Sequence, residues 1–239
     1  MAEQTFLTVD GSEMECLISV PAGGGPHPGL VLAPHLPADQ GLKADSFSDN
    51  VADRYAEAGY VCAMPRVFHR QPLDRDRPDK LAAMNDDEVM RDLTAARELL
   101  EARDDVNAGR IGILGHCTGG RMTVLALTRD PRYKAGIDFW GGRVHLPWGD
   151  GLPAPLEGVG NISAPLAGFF GNEDQSPSPE QVDELEAALE AGGKSYEFHR
   201  YDGAGHAFQN FANEERYRED ASEDAWAKAI AFLDRHLKA

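Results

Sequence analysis

From Arg110 to Leu127 the chain reads Arg-Ile-Gly-Ile-Leu-Gly-His-Cys-Thr-Gly-Gly-Arg-Met-Thr-Val-Leu-Ala-Leu, and no other stretch limits the fold as strongly. Ile111, Ile113 and Leu114 form the short apolar run of a buried parallel strand, and Met122, Leu125 and Ala126 fall at helical spacing just beyond it. One cysteine, Cys117, stands between them. Glycines two residues before and two residues after it allow a turn tight enough to hold its side chain in a strained, exposed position. This strand, turn and helix is the nucleophile-elbow pattern with Cys in place of Ser. A helix starting at the turn aims free amide hydrogens and a positive dipole end at the sulfur, which favours the reactive thiolate. Cys16 and Cys62 lie inside predicted strands without such glycines and read as small packed hydrophobes.

A chain of 239 residues suits one α/β domain covering 1–239. Its formal charge of −17, from 40 acidic against 23 basic side chains, repels nucleic acid and anionic lipid, so neither is an expected partner. A small anionic substrate would then depend on a local group of arginines. Three widely spaced cysteines with no CxxC pair suggest neither a disulfide framework nor a cysteine-based zinc site, which fits a reducing cytoplasm. The N-terminus has no basic segment followed by an apolar core, and no apolar run approaches membrane-spanning length. A cytoplasmic chain, monomeric by default, is the expectation.

Phe6–Val9 and Met14–Val20 alternate like strands around the Asp10-Gly11 turn signal, giving an antiparallel opening. Further strands are predicted at Gly29–Ala33, Tyr60–Met64, Tyr133–Trp140, Leu166–Phe170 and Tyr196–Tyr201, besides the one leading to Cys117. Helical periods cover Asp45–Ala58, Asp86–Arg103, Pro179–Ala191 and Ala221–Leu237. Pro65–Pro78 and Val144–Ser163 read as loops, the second on the active face, with Trp140 to Trp148 supplying apolar pocket wall. Alternating strands and helices after an antiparallel start imply a mostly parallel central sheet with helices on both faces.

A thiol nucleophile needs a base to take its proton and an acid to orient that base. Asp174 and His206 each follow a predicted strand in a glycine-bearing turn, and the order nucleophile, acid, base is that of α/β-hydrolases. Glu173 is the alternative acid. The tetrahedral oxyanion needs amide donors. Thr118, directly after the nucleophile, supplies one, and Leu36, after the central strand, is best placed for the second. Pro34 and Pro37 have no N–H, leaving His35, Leu36 and Ala38 as the nearby donors.

Gly-His-Cys-Thr-Gly-Gly, Gly-Asn-Glu-Asp, Gly-Ala-Gly-His-Ala-Phe and Met-Pro-Arg-Val-Phe-His-Arg together resemble the dienelactone hydrolase family over nearly the entire chain. The resemblance implies an α/β-hydrolase fold, a triad of Cys117, His206 and Asp174, no cofactor, and hydrolysis of a lactone or ester through an acyl-thioester. It also marks two departures. The family's glutamate that contacts the resting thiol corresponds to His35, and the carboxylate-binding arginine four residues after the catalytic histidine corresponds to Asn210. The family's second arginine falls near Arg75 or Arg77, and Arg143 is a substitute. These five residues are the expected substrate-binding set.

Other chemistries use the same features. A thioesterase or acyltransferase would use the same triad, and a redox-sensing module would use Cys117 alone as a switch. His35, His69, His116 and His206 lack paired metal-ligand spacing, so no metal site is expected.

Overall fold

The computed structural model describes residues 2–36, 45–72 and 74–239. Strands β1 (Glu3–Val9) and β2 (Ser12–Ser19) pair antiparallel, with Asp10 and Gly11 both at positive φ (52° and 75°) in the two-residue turn such a hairpin prefers. Thereafter the chain alternates β3 (His27–Ala33), α1 (Ser46–Glu57), β4 (Val61–Pro65), α2 (Arg77–Ala82), α3 (Asp86–Glu101), β5 (Val106–His116) and α4 (Thr118–Arg129). It ends with β6 (Gly136–Phe139), β7 (Leu166–Gly171), α5 (Pro179–Ala191), β8 (Tyr196–Tyr201) and α6 (Glu219–Leu233).

All eight strands form one sheet in the order β1-β2-β4-β3-β5-β6-β7-β8, parallel from β4 to β8. The central strands alternate apolar residues between two buried faces. Val31, Ile111 and Ile113 pack with Leu93 and Leu100 of α3, Met122 of α4 and Leu185 of α5. Leu30, Leu32 and Leu114 pack on the other face with Val51 of α1 and Trp226 and Phe232 of α6. The expected doubly covered sheet is therefore present. Tyr55 and Trp226 lie in this second layer. No helix among the described residues is long and apolar enough to cross a membrane.

Strand order positions the site. The chain leaves β3 toward β4 on one side, then returns to β5 on the other, so a crevice opens at the C-terminal ends of β3 and β5, where ligands bind in such sheets. Pro34–Leu36 and Cys117 leave from those two ends.

Structure and sequence expectation differ mainly in the loops. Within or beside the predicted loop of 65–78, α2 starts at Arg77, capped by Asp76, whose side chain accepts from the Asp79 N–H at 3.0 Å. Six residues are too few to show a helical period. The predicted loop of 144–163 contains a 3₁₀ turn at Pro155–Asn161. Strand β6 is shorter than Tyr133–Trp140, and Trp140 at its end has φ 41°, which terminates the extended run.

One buried ion pair joins α3, α4 and the 143–148 loop. Both side chains of Arg121 and Asp86 are fully buried, with contacts of 2.6 and 3.0 Å. Arg121 also donates to the carbonyls of Arg143 and Leu146 and lies 3.8 Å over the Trp148 ring. Asp86 in turn accepts from the Trp148 N–H at 3.0 Å. Removing one partner strands the other charge in the core, which costs roughly 3–5 kcal/mol. Asp86→Ala is therefore expected to lower stability by about that amount in urea denaturation. Glu223→Ala, which breaks the surface pair with Arg54, should change it by less than about 1 kcal/mol.

Candidate active site

The elbow is built as the glycines require. Cys117 caps α4 with φ 56° and ψ −119°, a conformation seldom taken by a residue with a side chain. Its N–H donates to the Phe139 carbonyl at 2.9 Å, and its own carbonyl accepts from Gly120, so hydrogen bonds on both sides hold the strained turn. A Cβ at Gly115 would stand 2.3 Å from the Gly119 carbonyl group, and one at Gly119 would stand 2.0 Å from the Ala33 carbonyl oxygen. Only bare backbone lets α4 begin so close to β3 and β5. The Thr118 hydroxyl ties the same crossing by donating to the Pro34 carbonyl at 3.3 Å.

Asp174 and His206 leave the ends of β7 and β8. The two turns are joined by the Glu173 N–H donating to the Ala204 carbonyl at 2.9 Å. Asp174 is 2% exposed, and both its oxygens are engaged: Oδ1 accepts from the Ser176 N–H at 2.8 Å and Oδ2 lies 2.9 Å from His206 Nδ1. The other ring nitrogen, Nε2, lies 3.2 Å from Cys117 Sγ. Glu173 lines the same cavity but makes no hydrogen bond to His206.

Charge follows this geometry. Burial by itself would raise the Cys117 thiol, but the hydrogen bond and charge of His206, then Arg77 and the Thr118 N–H, prevail and lower it below its usual range. Burial works against a charged His206, yet its bonds to Asp174 and Cys117 outweigh that and raise it to about 9. The two shifts favour the same state, a thiolate beside an imidazolium.

A cavity of about 540 Å³ opens above the sulfur, lined by Arg77, Thr118, Arg143, Trp148 and Arg216 among others. A smaller chamber of about 190 Å³ on the side of Cys117 nearer β3 is lined by His35, Leu36, Phe47, Asn210, Asn213 and Arg216. Leu36 is buried at the β3 exit and its N–H makes no hydrogen bond to a described residue. Pro37 and Ala38 lie outside the described residues.

His35 is turned to a different partner from the one its position suggests. Its Nε2 bonds Asp45, the residue that caps α1 and also accepts from the Ser48 hydroxyl at 2.6 Å. The ring stands edge-on to Phe47 and faces the chamber it shares with Cys117. His69 bonds Ser12 and Asp92, and His116 stacks flat on Phe139 at 4.4 Å. Among the described residues no three His, Cys, Asp or Glu side chains are grouped to hold a metal ion.

The arginines sort clearly. Arg77 reaches the cavity, with Nη2 3.9 Å from Cys117 Sγ, whereas Arg75 lines a separate hollow with Arg70 and Glu88. The cap at Asp76 makes that choice, because it sets which of the two begins the helix. Arg143, at φ 64°, lines the cavity. Asn210 faces the smaller chamber. Arg216 and Arg218 were not anticipated. They lie in the unpatterned stretch before α6, and the one available signal was Asn210 itself, a missing arginine that directs attention to others in the same loop. Arg218 is spent on the carbonyls of Gly203, Glu215 and Tyr217, while the Arg216 guanidinium makes no hydrogen bond to a described residue.

Residues 14–237 match the model of the dienelactone hydrolase family. A Bradyrhizobium protein named "Probable 2-oxo-3-(5-oxofuran-2-ylidene)propanoate lactonase" is 31% identical over 208 residues, covering 84% of this chain and 82% of that protein. A "Putative carboxymethylenebutenolidase" of Methylorubrum extorquens is 28% identical, covering 88% of this chain and 72% of the relative. A crystal structure from Klebsiella pneumoniae, titled as a "Putative Dienelactone Hydrolase", superposes with TM-score 0.87 at 25% identity, over 99% of each chain. With the α/β-hydrolase fold and a family match running nearly end to end, the chain belongs to the dienelactone hydrolase family, hydrolases of lactone and ester bonds.

Proposed function

We propose that the protein hydrolyses a carboxylate-bearing lactone or ester through an acyl-thioester at Cys117. The observation that carries this reading is the continuous hydrogen-bonded line from Asp174 through His206 to the Cys117 sulfur, at 2.9 and 3.2 Å. The thiolate attacks the substrate carbonyl, and the resulting oxyanion is received by the N–H groups of Thr118 and Leu36. The imidazolium of His206 gives its proton to the leaving oxygen as the carbon–oxygen bond breaks, which for a lactone opens the ring. Neutral His206 then takes a proton from water, the hydroxide attacks the thioester, and the acid leaves as Cys117 returns to thiolate. Asp174 holds the imidazole in the tautomer that presents Nε2 to the sulfur throughout.

The carboxylate preference rests on Arg77, Arg143 and Arg216. The chain as a whole carries −17, yet these three line the cavity and none forms a salt bridge with a carboxylate among the described residues. Guanidinium groups without a carboxylate partner of their own recognise a substrate carboxylate strongly. Arg216 occupies the loop in which Asn210 has lost the family's arginine. The name of the Bradyrhizobium relative, a lactonase acting on a propanoate, accords with that preference.

Cys117→Ala is expected to lower kcat by at least about 10³-fold while the far-ultraviolet circular dichroism stays unchanged. The pH profile of kcat/KM should fall on its alkaline side near pH 9, where His206 loses the proton it must donate. On the acid side it should fall below the ordinary thiol range, since the thiolate is held by His206. Iodoacetamide modification of Cys117 should show the same low acid limb, shifted up in His206→Ala. Arg216→Gln is expected to raise KM for a carboxylate-bearing ester roughly 10- to 100-fold, with a much smaller change for its neutral methyl ester.

A further inference from the structure

The catalytic cavity does not end at its arginines. Arg77, Leu81, Arg143 and Trp148 also line a second cavity of about 690 Å³, which continues away from Cys117 between α2 and the 146–151 loop. The first cavity, at about 540 Å³, is already within the roughly 300–1,000 Å³ range that holds a small ligand. A compact lactone leaves the second one unused.

Most residues lining the second cavity are apolar, Leu81, Met84, Leu146, Pro147 and Trp148 among them; Arg77 and Arg143 share the wall, and Asp150 is its one acidic residue. Leu146 is 45% exposed, one of few large apolar side chains left open to solvent among the described residues. Its wall is also fixed. Arg121 holds the Leu146 carbonyl, Asp86 holds the Trp148 N–H, and the Asp86 N–H donates to the Trp148 carbonyl at 2.8 Å. A surface so firmly held by buried groups is a preformed groove, with an apolar floor that gains by being covered.

We infer that this groove is a second substrate subsite, taking an apolar substituent that extends past an anionic group held by Arg77 and Arg143. The substrate class is then an amphiphilic ester or lactone: scissile carbonyl at Cys117, carboxylate at the two arginines, and an alkyl or aryl chain beyond. This inference rests on the reading of the Cys117 cavity as the ester site, and its test requires no turnover.

Wild-type protein is titrated with acetate and with hexanoate at matched ionic strength, followed by tryptophan fluorescence, Trp148 lying on the wall of both cavities. A buried methylene strengthens binding about fourfold, so the four extra methylenes should tighten hexanoate over acetate by more than ~10-fold even if only partly covered. Leu146→Asp and Ala82→Glu place charge on exposed positions of the groove, where neither change disturbs the core. Each should cut the hexanoate preference below ~10-fold. A wild-type preference under ~10-fold, or one that survives in both variants, overturns the subsite. If chain-length preference holds but no ester is hydrolysed, the mechanism fails and the groove stands. Cys117-dependent hydrolysis with no preference gives the reverse.

Discussion

The closeness of α4 to β3 is the constraint on which the rest of the rim depends. At Gly119 the helix backbone comes so near the Ala33 carbonyl that a single methyl group would not fit. That approach brings the N-terminus of α4, with its free amide hydrogens, to the β3 exit. It also forces Cys117 into its left-handed backbone conformation, which the bonds to Phe139 and Gly120 stabilise. Cys117 and the start of α4 are thus positioned by one crossing rather than by separate devices.

Electrostatics inside the cleft run against those of the molecule. A strongly acidic chain lines the cavity over its sulfur with Arg77, Arg143, Arg216 and Arg218, and the imidazole beside the sulfur is held in charged form by a buried carboxylate. The long-range field discourages anions, and the local field rewards only those that reach the cavity floor. His35 contributes differently from a glutamate at that place. Its ring is bonded to Asp45 at the head of α1, and the hydrogen bond to the sulfur is made by His206.

The parts legible in the sequence were those with a local signature. Strands show as apolar runs, and Cys117, Asp174 and His206 each follow one in a turn containing glycine, so their rim positions could be read in order. The parts that were not legible depend on relations through space. Whether Arg75 or Arg77 faces the site is decided by a helix too short to have a period. Arg216 is six residues from Asn210 and reaches the same chamber only because the chain between them folds back through turns. The histidine at 35 could be located but not assigned, because its partner Asp45 lies across a segment with no periodic pattern of its own.

The Arg121–Asp86 pair has a consequence for how such an enzyme can change its substrate. One wall of the cleft, residues 143 to 148, is anchored through that pair to two core helices, so altering its backbone disturbs the centre of the protein. The opposite wall, formed by α2 and the stretch before α6, presents exposed side chains with few such anchors. Tolerance to mutation is therefore unequal across one cleft. New specificities in this lineage are expected to accumulate on the side of Arg77 and Arg216, with the Trp148 side serving as the fixed template against which they are shaped.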